Sequence, residues 1–179
     1  MTSILRLRIG PRAASGAGRP LGLVEILDHT GALVGHISRA ELSGAEASGT
    51  FRFSPISGAD VVMGIRRRGV TNPLRNRILI AHASGTDELQ ERKLANFMRF
   101  SADGIVAGQE LTIKVRFGGD VAITHGNRGI ATLRSLDARR STVDIVADAD
   151  ERLVGICVLS LLIYRRYEQD VDIAAEYFA

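Results

Sequence analysis

"ERLVGICVLSLLIYRRYEQD", residues 151–170, contains twelve consecutive residues without a charge, Leu153 to Tyr164. As an α-helix that run rises about 18 Å, well short of the roughly 30 Å hydrocarbon core of a bilayer. Arg152 precedes it and Arg165 and Arg166 follow it, so the apolar stretch cannot be extended. No transmembrane segment is expected. A single strand is also excluded, because strands average about 5–6 residues. A helix remains. "DAD" (148–150) marks its start, with Asp148 or Asp150 as N-cap and Glu151 in the first turn. Arg165 and Arg166 suit its end, where the helix dipole favours cations.

The faces of this helix decide what the rest of the chain must do. Leu153, Ile156, Cys157, Ser160 and Leu161 form one stripe, Val154, Val158 and Leu162 a second, and Leu159 and Ile163 a third. None is a polar face. A helix apolar all round has to be surrounded. The expected organisation is one domain over residues 1–179, with a central helix at about 150–167 and a short C-terminal tail.

Residues 1–147 read as short alternating strands separated by turn residues. In "LTIKVRF" (111–117), Leu111, Ile113, Val115 and Phe117 are expected to face one way, and Thr112, Lys114 and Arg116 the other. "GLVEILDHTGALVGHIS" (22–38) reads as a hairpin turning at Asp28 to Gly31. "GTFRF", "DVVMGIRR", "RILIAHA", "DVAITHG", "GIATLRS" and "TVDIVAD" are further candidates. "MTSILRLRIGPRAASGAG" (1–18) has no apolar h-region and reads as a strand, Leu5, Leu7 and Ile9 alternating with Arg6 and Arg8, followed by a loop. "DELQERKLANFM" (87–98) is expected to form a short helix. A hint of repetition relates "VEILDHTGALVGHIS" to "DVAITHGNRGIATLR", with Gly31 and Gly129 at comparable places.

Ten to twelve such strands make a sandwich or a barrel, and the helix chooses between them. An eight-stranded barrel is filled by its own side chains, whereas a helix is about 10–12 Å across. More strands are needed, and the sequence supplies them. Closure also removes exposed sheet edges. The expected fold is mainly β: a closed antiparallel barrel of about twelve strands around a central hydrophobic C-terminal α-helix.

The hairpin "VEILDHTGALVGHIS", the later "IATLRS" and then "STVDIVADADERLVGICVLSLLIYRRYEQD" together resemble the tubby-like superfamily, which includes LURP-one-related proteins, phospholipid scramblases and small bacterial relatives. The resemblance covers about residues 20–170. It implies a twelve-stranded barrel around a central helix, in agreement with the physical reading. It also implies functions of several kinds. Tubby proteins bind phosphoinositides through basic side chains, and scramblases are linked to calcium, lipid movement and palmitoylation. The stretch matching the scramblase acidic segment is "DARRSTVDIVADAD" (137–150), with Asp137, Asp144, Asp148 and Asp150. Arg139 and Arg140 stand among these carboxylates and would repel a hard cation. Cys157 is the sole cysteine, so there is no cluster to lipidate, no internal disulfide and no thiolate metal site. Calcium-dependent scrambling is not expected.

The formal net charge of +3 is too small to mark a nucleic-acid binder, so any basic surface must be local. "GIRRRGVTNPLRNRIL" (64–79) provides one: Arg66, Arg67, Arg68, Arg75 and Arg77 fall within twelve residues without an acid among them. Guanidinium groups suit phosphates through paired hydrogen bonds. No aromatic residues interleave with them, which argues against stacking on single-stranded nucleic acid. The competing reading is a solvated hairpin paired with acids elsewhere in the chain.

Catalytic signals are thin. His29, His36, His82 and His125 lack metal-ligand spacing. Cys157 within an apolar helix is expected to be inert. "GAGRPLG" (16–22) lacks the helix start that a phosphate-binding glycine loop needs. No Ser/His/Asp set, metal site or cofactor is expected. The sequence favours a non-enzymatic binding or adaptor domain, cytoplasmic or peripheral at a membrane, that meets anionic phospholipid headgroups or a protein partner. The alternative is a scramblase-like lipid-transfer factor or an enzyme with an unrecognised site.

Overall fold

The computed structural model describes residues 4–9, 24–66, 77–92, 100–135, 141–146 and 148–178. The described strands are β1 (Ile4–Ile9), β2 (Val24–Leu27), β3 (Leu33–Arg39), β4 (Ala45–Pro55), β5 (Val61–Arg66) and β6 (Arg77–His82). They continue with β7 (Gly85–Glu91), β8 (Ser101–Val106), β9 (Gln109–Val115), β10 (Val121–His125), β11 (Arg128–Ser135) and β12 (Ser141–Val146). One helix follows, α1 (Glu151–Phe178). Each strand pairs antiparallel with its chain neighbours, and β1 closes the barrel by pairing with β12 as well as β2. The twelve-stranded barrel with a C-terminal helix is the fold the sequence implies.

Alternation builds the wall. Leu111, Ile113 and Val115 are buried while Lys114 is exposed. Leu7, Ile26, Ile37, Phe53, Met63, Ile80, Leu89, Leu133 and Ile145 repeat the pattern around the ring and join one core with α1. Phe117 breaks it. Strand β9 ends at Val115, and the next residues turn sharply, with Arg116 N–H donating to Asp120 O at 2.7 Å and Gly119 N–H to Arg116 O at 3.2 Å. Phe117 therefore rides on a turn and is 89% exposed.

Two other expectations need correcting. Asp87–Glu91 is not helical but belongs to β7, because Leu89 pairs with Ile78 and is buried in the barrel. The remainder of the expected helix, 93–98, lies outside the described residues. In the hairpin comparison, Gly31 is the turn residue at φ +89°, but its counterpart is Gly126 at φ +61°, since Gly129 lies inside β11. Each hairpin does carry a one-residue register shift just before its turn, at Ile26/Leu27 and at Ile123/Thr124.

Helix α1 starts where the acidic triplet placed it. Asp150 is the N-cap, its Oδ1 accepting the Leu153 N–H at 2.8 Å. Ile156, Cys157, Val158, Leu159 and Leu161 are fully buried, and half-buried Val154 and Leu162 pack on the same core. Gly155 permits a close approach to the wall: a Cβ there would meet Val61 Cγ2 at 2.8 Å and Phe53 Cδ1 at 3.2 Å. The helix accordingly packs mainly against β4 and β5. Ser160 satisfies its hydroxyl locally, donating to Ile156 O at 2.7 Å. The helix does not stop after Arg165 and Arg166; it runs on to Phe178, and its last turn holds no basic residue. Among the described residues, no helix is long and apolar enough to cross a membrane.

Leu159 has no exposed surface. Leu159→Asp would bury an unpaired charge and should cost about 4–5 kcal/mol or more, enough to unfold a typical domain. Circular dichroism melting checks this; a folded variant with near-native melting would contradict the enclosed position of α1.

Candidate functional site

Antiparallel closure sends successive connections to alternate ends of the barrel. The turns after β2, β4, β6, β8 and β10, and the link into α1, share the end at which α1 begins. They carry Asp28, Asp60, Asp148 and Asp150 and, among the described residues, no Lys or Arg. By strand ends rather than turns, the α1 end also holds Arg128 and Arg152, while the other end holds Arg39, Arg66, Arg77, Arg92, Arg116 and Arg134 together with Glu41, Glu46, Glu91 and Asp120, and is the more basic of the two. The small net charge of the chain conceals this separation.

Two residues of the arginine stretch meet on that rim. Arg66 Nη1 and Arg77 Nη1 donate to Glu88 Oε2 and Oε1 at 2.7 and 2.8 Å. Glu88 faces Leu79 in the β6–β7 register, so strand pairing carries its carboxylate to arginines far away in sequence. One carboxylate shared by two guanidinium groups leaves a formal charge of about +1. Arg66 and Arg77 remain 47% and 40% exposed, so both can reach a further anion. Arg67, Arg68 and Arg75 lie outside the described residues. Around the rim, Arg92 pairs with Asp103, and Arg134 stands 3.6 Å from Asp120. Arg39 donates to Ser48 O at 2.8 Å and lies over the Phe51 ring.

The acidic segment before α1 is engaged elsewhere. Asp144 accepts two hydrogen bonds from Arg6, at 2.6 and 3.0 Å. Asp148 accepts two from Arg128, at 2.7 and 2.8 Å, and Asp150 caps the helix. Asp137, Arg139 and Arg140 lie outside the described residues. Among the described residues, no group of three or more His, Cys, Asp or Glu is arranged to hold a metal ion.

The histidines play unlike parts. His29 is exposed in the β2–β3 turn, and His36 Nδ1 is buried without a hydrogen-bond partner among the described residues. His125 Nε2 lies 3.0 Å from Val106 O. His82 stands apart: Ser84 Oγ is 2.9 Å from its Nδ1, and Asp87 Oδ2 is 2.8 Å from its Nε2. The His82 side chain is 7% exposed. It borders a cavity of about 500 Å³ between the β4–β5 turn, the β6–β7 turn and the first residues of α1. Sequence reading missed this set, since a Ser/His/Asp line within six residues becomes visible only once the hairpin register pairs His82 with Gly85 and Ile80 with Asp87. Cys157 is fully buried, and desolvation pushes its thiol far above the ordinary range, so it is inert core filling. The "GAGRPLG" loop lies outside the described residues.

Compared with family models, curated proteins and solved structures, the chain finds no match.

Two predictions follow from the acidic segment. Because Asp148 is held by Arg128 and Asp150 by the helix, calcium should not bind there at micromolar levels. A ligand at 100 times its Kd would add about 2.7 kcal/mol of stability, readily seen as a thermal shift. A calcium-dependent shift lost in the Asp148→Asn, Asp150→Asn double variant would overturn this.

The second concerns acid. The hydrogen bond from Arg128, aided by its charge, holds the Asp148 carboxyl below its usual 3.8. Its contribution to stability is therefore present above that value and lost as pH falls through the lowered one. Arg128→Gln should move the Asp148 titration, followed by NMR, back up toward 3.8. An unchanged titration would show that the pair does not govern it.

Proposed function

We propose that the chain is a tubby-like barrel whose arginine rim is a binding surface for anionic phospholipid headgroups. The observation that carries this reading is the convergence of Arg66 and Arg77 on one carboxylate, Glu88, at the more basic end of the barrel. Glu88 orients two guanidinium groups without neutralising them, and guanidinium groups bind phosphate oxygens in pairs. Arg67, Arg68 and Arg75 join Arg66 and Arg77 in sequence and add to the same local charge. The resemblance to tubby-like proteins in the hairpin, the last strand and the helix supports the same class of ligand. On this reading the protein sits peripherally at a membrane, with the rim toward the headgroups.

The magnitudes suit reversible contact. Each basic residue near an anionic bilayer is worth about 1 kcal/mol, and the attraction decays over about 8 Å at physiological salt. Three or more arginines together hold the protein at a surface, and one alone does not. Sedimentation with vesicles should show weak, salt-sensitive binding to anionic lipid and little to neutral lipid. Replacing Arg66, Arg67 and Arg68 together by Gln should abolish it, with circular dichroism melting of the variant showing that it remains folded. Wild type that ignores anionic vesicles at low salt, or a triple variant that binds equally well, would refute the reading and leave a protein partner as the account of the rim.

A further inference from the structure

We propose a second site at the opposite end of the barrel, where Ser84, His82 and Asp87 form a nucleophile–base relay for hydrolysis of small uncharged or cationic esters. It does not rest on the lipid reading. The three groups are already in line, with Ser84 Oγ 2.9 Å from His82 Nδ1 and Asp87 Oδ2 2.8 Å from His82 Nε2. With the Asp87 carboxylate accepting a hydrogen bond from Nε2–H, the matching tautomer turns its Nδ1 lone pair to the Ser84 hydroxyl. The more familiar triad places the serine on Nε2 and the carboxylate on Nδ1. Here the two nitrogens exchange parts, Nδ1 facing the hydroxyl and Nε2 the carboxylate. Burial keeps the imidazole from wandering, while Ser84 is exposed on the two-residue β6–β7 turn.

The surroundings suit an acyl-transfer step. Ser84 and His82 border the cavity of about 500 Å³, a volume fit for a small ligand. The first residues of α1 line it too. Asp150 satisfies the N–H groups of Leu153 and Val154, and on this proposal the amides of Glu151 and Arg152, the other donors of the first turn, would serve the developing oxyanion. The cavity also decides charge. Asp60, Asp150 and Glu151 line it against Arg152 alone, which disfavours carboxylated or phosphorylated substrates.

The chemistry balances with water as the only co-reactant. Ser84 Oγ bonds to the ester carbonyl carbon as its proton passes to His82 Nδ1. The adduct collapses with cleavage of the bond to the alcohol oxygen, which takes that proton and leaves. Water then gives a proton to His82 Nδ1 and attacks the acyl carbon, and Ser84 regains the proton as the acid departs. Asp87 is a positioning residue, and the imidazolium it faces is stabilised by its charge.

The test treats the full chain with an uncharged alkyl fluorophosphonate, which bonds its phosphorus to a serine oxygen and releases fluoride, and with p-nitrophenyl acetate. Wild type should acquire one adduct, mapped to Ser84 by peptide mass spectrometry, and should turn over the ester. Ser84→Ala, an exposed change, should remove both with melting unchanged. His82→Gln should slow labelling by about a hundredfold, the usual worth of a general base. Asp87→Asn should slow it as well, and Asp87→Glu should restore part of the rate, a rescue that a merely structural role would not give. Absence of the adduct, an adduct surviving in Ser84→Ala, or wild-type labelling in a folded His82→Gln would overturn the proposal and leave the trio as a hairpin pin. Should His82→Gln fail to fold, Ser84→Ala still decides.

Discussion

A helix with no polar face cannot rest on one side of an open sheet, because its other sides would stay in water. That constraint organises the molecule. Five residues of α1 in the span 156–161 are fully buried, and the wall must supply apolar partners on every side of them. The β1 strand, paired to both β12 and β2, turns a sheet into a ring. The fit is close at Gly155, where any side chain would press into Val61 and Phe53 on β5 and β4. Ser160, a polar group in this interior, is satisfied locally by Ile156 O.

Closure has an electrostatic consequence that local sequence does not state. In an antiparallel ring, alternate connections share an end, so residues distant in the chain are collected on one rim. Asp28, Asp60, Asp148 and Asp150 gather where α1 begins, beside Arg128 and Arg152, and six arginines gather opposite, among Glu41, Glu46, Glu91 and Asp120. A net charge of +3 therefore describes neither end. Coulombic interactions decay over about 8 Å at physiological salt, so a partner approaching either rim meets the local charge and not the sum.

The fold was legible because its signals are periodic. "LTIKVRF" alternates, the helix has no polar face, and "DAD" contains the cap that the structure uses, Asp150. The failures share a cause. Asp87–Glu91 reads as helical from its charged, straight-chain residues, yet buried Leu89, paired with Ile78, ties it into the wall; tertiary pairing overrides propensity. Phe117 follows the alternation of its segment, but the strand ends two residues before it. Within the candidate rim, the arginines were visible and their partner was not, because Glu88 meets them only through strand register. The Ser84–His82–Asp87 line was hidden for the same reason, lying across a hairpin that sequence reading did not join.

The separation of charge could serve the helix alone, since acids at its start and bases toward its other end complement its dipole. That account covers only part of what is observed. The dipole acts within about the first and last turn, which accommodates Asp150 and Glu151 at the start of α1. It does not reach Asp28, which is occupied by its own turn, accepting the Thr30 N–H at 2.8 Å and the Ala32 N–H at 2.9 Å. Nor does it account for Arg66 and Arg77, which belong to the wall and answer to Glu88. Arg165 and Arg166, the cations best placed in sequence to close the dipole, lie well inside a helix that continues to Phe178. Four of the six rim arginines are matched by acids on the wall itself, Arg66 and Arg77 by Glu88, Arg92 by Asp103 and Arg134 by Asp120, so strand register and not the helix dipole decides where they stand.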